Sequence, residues 1–279
     1  VYDQGEWVRV DGLDTWVVRA GPRSSALPPV VLLHGIPTSA FLYRDAMRAM
    51  MEERDVIAFD WPGYGSSAKP RAAPLTHQAR EAHLAKLMDA LGVAQLDLVV
   101  HDMGGPPGLL YAVRNPGRVR RLAVLNTTVF KRDYHPPLPA LVAFVPGLRE
   151  LSRPFFTKPT FEHFFKQGLA RPDRMRRATL DQHWRLAKQE RGLAQVLDTW
   201  GAFQEGAPAI REIREKMADF PNPVLVLFGA EDRILPPPNA ERFAKSFPRA
   251  ELQLLPGVGH FLQEDAPEEV ADRLLKFFG

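Results

Sequence analysis

The residues best placed to do chemistry lie in Leu98-Val99-Val100-His101-Asp102-Met103-Gly104-Gly105, an apolar run that leads straight into a glycine-rich helix start. A buried strand that turns sharply into a helix forces strained backbone at the turn, and small neighbours let adjacent chain come close. Gly104 and Gly105 meet that need, with Asp102 at the tip. A carboxylate is already ionised at neutral pH, so it can attack without first losing a proton to a base. An aspartate ahead of a helix also serves as an ordinary N-cap, and spacing alone leaves both roles open.

Three further segments complete a constellation. His34-Gly35-Ile36-Pro37-Thr38 follows a predicted strand, and its glycine and proline shape a loop whose backbone amides can face a developing oxyanion. The amides of Ile36 and Met103 are the expected pair. Phe228-Gly229-Ala230-Glu231-Asp232 puts a carboxylate just past a strand end, and Pro256-Gly257-Val258-Gly259-His260 puts an imidazole past the next strand. Nucleophile, acid and histidine in that chain order is a hydrolase arrangement, with Asp102, Asp232 and His260 as the catalytic set. A carboxylate attacking an acyl carbon would give a reactive anhydride, whereas attack on a saturated carbon bearing a leaving group gives a stable alkyl ester. His260, oriented by Asp232, would then activate water against that ester. The chemistry fits alkyl halides or epoxides better than peptides, and it needs no cofactor.

These residues must be held by a scaffold, and the pattern predicts one. Glu6 to Val10 and Thr15 to Arg19, split by Asp11-Gly12, alternate with period two and read as an opening hairpin. Val30 to Leu33, Val56 to Phe59, Leu96 to Val100, Leu122 to Leu125 and Val224 to Phe228 are aliphatic without alternation, as strands buried on both faces should be. Helical stretches His77 to Leu91 and Gly105 to Asn115 lie between them, giving an α/β fold with a mostly parallel sheet flanked by helices. The alternation stops after Leu125 and resumes at Val224, so residues 1–125 and 223–279 are expected to form the core and 126–222 a helical cap. Arg174 to Glu190 reads as helical within it. Most of its aromatic residues are expected to pack among themselves, with Tyr134, Trp184, Trp200 and Phe203 as candidates to face a substrate. The tail returns to order with helix Asn239 to Phe247, strand Glu251 to Leu255, and a last helix capped by Asp265 with Glu268 three residues on.

Composition narrows the classes. Lys and Arg total 36 against 33 Asp and Glu, a surplus too small to imply a nucleic-acid surface. The absence of cysteine excludes a disulfide framework, a thiolate zinc site and a cysteine nucleophile. His77, His83, His135, His163 and His183 show no ligand spacing, so no metal is expected. Gly63-Tyr64-Gly65-Ser66-Ser67-Ala68 formally matches a dinucleotide fingerprint, but Lys69-Pro70-Arg71 and Pro74 forbid the helix that a phosphate site needs, so a loop beside the active site is expected. No apolar run approaches bilayer length and Val1 to Val10 is mixed in polarity, giving the expectation of a cytoplasmic protein, monomer or homodimer, without a membrane partner.

As a set, His34 to Ser39, Asp60-Trp61-Pro62-Gly63-Tyr64-Gly65-Ser66-Ser67, His101 to Pro106, Gly229 to Asp232 and Gly259-His260 resemble the α/β-hydrolase superfamily, and within it the aspartate-nucleophile branch of haloalkane dehalogenases and epoxide hydrolases. The resemblance implies a small hydrophobic substrate, water as co-substrate and an aspartyl-alkyl ester. Pro37-Thr38-Ser39 and Leu42-Tyr43-Arg44 lean toward the dehalogenases. Such enzymes hold the halide with indole or amide N–H groups, but Met103 and Ile36 stand at the nearby positions and neither side chain donates. Similar epoxide hydrolases use two cap tyrosines, yet residues 126–222 contain only Tyr134, with Trp200 and Phe203 where the later one is expected. The expected activity is dehalogenase-like, with epoxide hydrolysis as the alternative. Carboxylic-ester hydrolysis and a non-catalytic ligand-binding role on the same fold stand further off.

Overall fold

The computed structural model describes residues 1–70, 76–136, 141–142, 145, 148–202 and 207–279, apart from the side chains of 149 and 201. Among these residues eight strands form one sheet: β1 (Glu6–Val10), β2 (Leu13–Ala20), β3 (Val30–Leu33), β4 (Val56–Phe59), β5 (Leu96–His101), β6 (Val119–Leu125), β7 (Val224–Gly229) and β8 (Ala250–Leu255). Their order is β1-β2-β4-β3-β5-β6-β7-β8. The hairpin β1/β2 and the β2/β4 pair are antiparallel, and every pairing from β4 through β3 to β8 is parallel. Every residue of β3, β4, β5 and β7 is buried, which is why their sequences show no alternation.

Helices α1 (Arg44–Met50), α2 (His77–Ala90) and α3 (Gly105–Arg114) accompany the first strands. The Thr76 hydroxyl caps α2 by accepting from the Ala79 amide at 3.3 Å, and Pro106 occupies the first turn of α3, where its missing N–H costs nothing. Between β6 and β7 come α4 (Leu148–Ser152), α5 (Lys158–Gln167), α6 (Arg177–Ala187), α7 (Gly192–Gly201) and α8 (Ala207–Lys216). Helix α9 (Pro237–Ser246) precedes β8, and the short α10 (Leu262–Asp265) leads to α11 (Pro267–Phe278).

Two expectations need correction. Arg174 to Glu190 is not one helix: Pro172–Arg174 forms a 3-10 turn, Arg176 is extended with ψ 134°, and α6 starts after it. Asp265 does not cap the last helix. The residue ahead of that helix is Ala266, without a side-chain bond, and Pro267 opens it. The Asp265 carboxylate instead accepts from the amides of Gly259, Ala170 and Arg171.

The topology brings the carboxyl ends of β3, β5, β6, β7 and β8 to one edge of the sheet, where an open α/β sheet presents its ligand crevice. The glycine-rich loop after β4 lies along that edge as a loop, held by the buried Asp60 carboxylate. Asp60 accepts from the Ala40 amide and the Ser66 amide, each at 2.7 Å, and from the Tyr2 hydroxyl at 2.6 Å.

Candidate active site

Asp102 sits directly past β5 with φ +46°, a conformation that aspartate tolerates better than most residues because its short side chain can bond locally. Its backbone is fixed from β6: the Asp102 amide donates to the Asn126 carbonyl at 3.1 Å, and the Thr127 hydroxyl donates to the Asp102 carbonyl at 2.6 Å. The carboxylate Oδ2 accepts from the Ile36 amide at 2.7 Å. A Cβ added at Gly35 would fall on this carboxylate, so glycine is required for the β3 loop to approach it. Met103 follows in a single 3-10 turn, Asp102–Gly104, whose first amides have no acceptor within the helix.

Asp232 and His260 meet Asp102 from the loops after β7 and β8. The His260 Nδ1 lies 2.8 Å from Asp232 Oδ2, and because a carboxylate only accepts, Nδ1 carries the proton. The opposite nitrogen, Nε2, stands 3.6 Å from Asp102 Oδ1. The two carboxylates differ in access. The Asp232 side chain is fully sealed, whereas that of Asp102 is 16% exposed, so of the two only Asp102 is reachable. Asp232 is satisfied on both oxygens, accepting from the Ile234 amide (2.8 Å), the Leu235 amide (3.0 Å) and Asn126 Nδ2 (2.5 Å) besides His260.

The electrostatics follow from this packing. Burial alone would raise the Asp102 carboxyl, but contact with His260, nearby His101 and the Ile36 amide outweigh it and hold the group below the usual carboxylate range. Asp232 is likewise pushed up by burial and pulled lower still by His260 and its hydrogen bonds. Burial pushes the His260 imidazole down, yet the charges and contacts of Asp232 and Asp102 prevail and lift it to about 10.

Several partners were missed by sequence reasoning. Asn126, past the end of β6, ties three loops together through its Nδ2 to Asp232, its Oδ1 accepting from the Gly229 amide at 3.0 Å, and its carbonyl. His101 Nε2 donates to the His260 carbonyl at 2.9 Å. His34 is neutral, pushed down to about 3 chiefly by burial. It accepts at Nε2 from the Trp61 amide (3.1 Å) and donates from Nδ1 to the Gly35 carbonyl (2.7 Å), while the Trp61 indole donates to the His34 carbonyl (3.0 Å). A polar residue directly after an aliphatic strand is the one signal that points to Asn126.

The loop bearing His260 is also fastened to the segment after α5. The amides of His260 and Phe261 donate to the Gly168 carbonyl at 2.7 and 3.3 Å. Asp265 accepts from the amides of Gly259 (2.8 Å), Ala170 (2.8 Å) and Arg171 (3.2 Å). A second tether lies alongside: the buried Glu264 takes two bonds from Arg44, at 2.5 and 2.8 Å, and one from His183 on α6 at 2.8 Å. Asp265→Ala removes the acceptor of three amides at once and is expected to cost about 2–4 kcal/mol in urea unfolding. Hydrogen exchange at Gly259 and Ala170 should rise with it.

The aromatic candidates separate. Tyr134 is half-buried, and burial together with the charge of Asp102 pushes its phenol well up, so it stays protonated. Trp184 is half-buried with its ring 5.4 Å from Phe161. Trp200 is buried, edge-on to Phe156 and Phe164, in the packing among the helices between β6 and β7. Phe203 lies outside the described residues. Among the described residues no cluster of His, Asp and Glu is arranged to hold a metal ion, and no helix is long and apolar enough to cross a membrane.

A mostly parallel sheet with helices on its connections and a sharp strand-to-helix turn after β5 defines a class, and the chain belongs to it: residues 28–267 match the profile of the alpha/beta hydrolase fold family. Haloalkane dehalogenase 2 of Mycobacterium tuberculosis (strain ATCC 25618 / H37Rv) is 29% identical over 261 residues, covering 90% of this chain and 88% of that protein. The cis-3-alkyl-4-alkyloxetan-2-one decarboxylase of Shewanella oneidensis is 27% identical over 266 residues, covering 89% and 81%. The crystal structure of wild-type Cfl2 from Burkholderia cenocepacia superposes with a TM-score of 0.88 at 24% identity, covering 99% of this chain and 95% of that one. Relatives of near-equal identity bear different names, so overall likeness defines the fold family and the particular reaction must be argued from the site.

Proposed function

We propose that this chain hydrolyses small hydrophobic substrates through a covalent ester on Asp102, in the manner of a haloalkane dehalogenase. The observation that carries this reading is the Asp102 carboxylate itself, partly exposed, with one oxygen on the Ile36 amide and the other 3.6 Å from His260. Oδ1 attacks a saturated carbon and the leaving group departs with the bonding pair, giving an alkyl ester. His260 then takes a proton from water as the water oxygen adds to Cγ. The resulting negative charge develops on Oδ2, held by the amides of Ile36 and Met103. Collapse breaks the bond from Cγ to Oδ1, the alcohol leaves with a proton from His260, and the acid left on residue 102 passes its proton to the freed imidazole, restoring the carboxylate. Residues 126–222 act as the cap that closes this site, which the bonds from Gly168 to Arg171 onto the His260 loop favour.

The two carboxylates give the cycle its order. While Asp102 is charged it supports the proton on His260, so the imidazole is no base before the ester forms. Esterification removes that charge, the affinity of His260 for its proton falls, and it becomes a base only when one is needed. Acid should therefore spare the first step, because Asp102 is held below the usual range, and slow the second by keeping His260 protonated. Rapid-quench mass spectrometry at about pH 5 and about pH 8 should find more aspartyl ester at the lower pH. An ester fraction that is flat with pH contradicts this order.

One observation favours epoxide opening as a second reading. The Tyr134 phenol is near enough to Asp102 to feel its charge and stays protonated, so it can hydrogen-bond to an opening oxygen. The Trp61 indole, in contrast, is committed to the His34 carbonyl and is not available to a halide. Halide release from 1-bromobutane measured beside diol formation from styrene oxide separates the two. Products from neither, with no ester on Asp102, overturn both.

A further inference from the structure

Beyond the catalytic constellation, the chain carries an open groove of about 880 Å³ between the loop after β6 and helix α8, within the size range of small-ligand sites. Its apolar surface comes from Val129, Phe130 and Ile210, and Tyr134 forms part of its wall. The same loop begins at Asn126 and Thr127, which bond to the backbone of Asp102, and Tyr134 in the groove wall feels the charge of that residue. Lys131, Arg211 and Arg214 line it against one acid, Glu215.

Several other surface arginines are neutralised by acids. Arg114, Arg153, Arg177 and Arg242 each meet a carboxylate, and on α8 itself Glu212 takes both Arg114 and Lys216. Among the described residues none of Lys131, Arg211 and Arg214 forms an ion pair. Arg211 and Arg214 are three residues apart and so share a face of α8, and the Arg214 guanidinium lies 6.0 Å from the Phe130 ring centroid. Cations left without acids beside an apolar trough complement a molecule with an anionic end and a hydrocarbon body.

We infer that this groove binds amphiphilic carboxylates, the chain lying on Val129, Phe130 and Ile210 and the carboxylate meeting Lys131, Arg211 and Arg214. The inference deepens the proposed function and rests on it for one point only, that the bound molecule extends toward Asp102 as substrate. Its substrates would then be hydrophobic chains that end in an acid.

Isothermal titration with decanoate and with 1-decanol, on wild type and on the Arg211→Gln/Arg214→Gln double variant, tests it. Decanoate should bind wild type about tenfold more tightly than decanol, and the double variant should bring it to the level of decanol. Added salt should narrow the gap in wild type. Both substitutions lie on exposed side chains, so folding is not at stake. Equal affinity for acid and alcohol, unchanged affinity in the double variant, or no decanoate binding overturns the inference. The readout does not pass through Asp102. Decanoate selectivity without any aspartyl ester would sink the covalent mechanism and leave the groove standing, and an ester without decanoate selectivity would do the reverse.

Discussion

Replacing His260 with Gln should halt the proposed cycle half-way, leaving Asp102 esterified. Attack by Asp102 needs no base, so the first step survives, whereas the second loses the group that takes the proton from water. Turnover is expected to fall by about 10²- to 10⁴-fold, the usual worth of a positioned general base. The fold should persist because Asp232 keeps its donors from Asn126, Ile234 and Leu235. Mass spectrometry after incubation with a turned-over substrate should find the peptide containing Asp102 heavier by the alkyl group. An unmodified peptide together with lost activity would mean that His260 acts in the first chemical step.

Asp102→Asn should have the larger effect, a loss on the order of 10⁴-fold or more, with no ester at any time. Asparagine is the informative replacement. It accepts positive φ nearly as readily as aspartate, and its side-chain oxygen can still take the Ile36 amide, so the turn is preserved while the nucleophile is gone. Alanine would confound the result with backbone strain. Rapid-quench kinetics and urea unfolding on the same preparation separate chemistry from stability, and retention of more than about a tenth of wild-type turnover would contradict a nucleophilic role.

The parts of this account that were legible in the sequence share a cause. Strands β3, β4, β5 and β7 could be read because burial on both faces leaves an unbroken aliphatic run, and Asp102 stood out because a charged residue ends such a run just before two glycines. What escaped was set by contacts between distant residues. Asn126 reaches Asp232 across 106 positions and His101 reaches His260 across 159, and neither pairing leaves a local pattern. Asp265 matched the spacing of a helix cap, but three amides from two other segments outbid that role. Helix α1 went unread because its seven residues, Arg44–Met50, are too short to show a helical period. Trp200 was a pocket candidate by residue type and by its place late in residues 126–222; its packing edge-on to Phe156 and Phe164 could not be read because it depends on how the helices pack.

The tethers from Asp265 and Glu264 bear on dynamics as well. Both adjoin the loop of His260, and they join it to the segment between β6 and β7, Asp265 at Ala170 and Arg171 and Glu264 at His183. The second chemical step, which depends on the distance from His260 to the ester, should feel movement of that segment more than the first.

The most direct test of the central claim is a single turnover in water enriched in oxygen-18, with enzyme in excess. In the proposed cycle the ester breaks between Cγ and Oδ1, so the product alcohol would carry off an oxygen of Asp102 and the water oxygen would stay in the carboxylate. Heavy oxygen should appear in the peptide containing Asp102 and not in the alcohol. Heavy oxygen in the alcohol with an unlabelled Asp102 would mean that water attacks the substrate directly, and the covalent mechanism would fall.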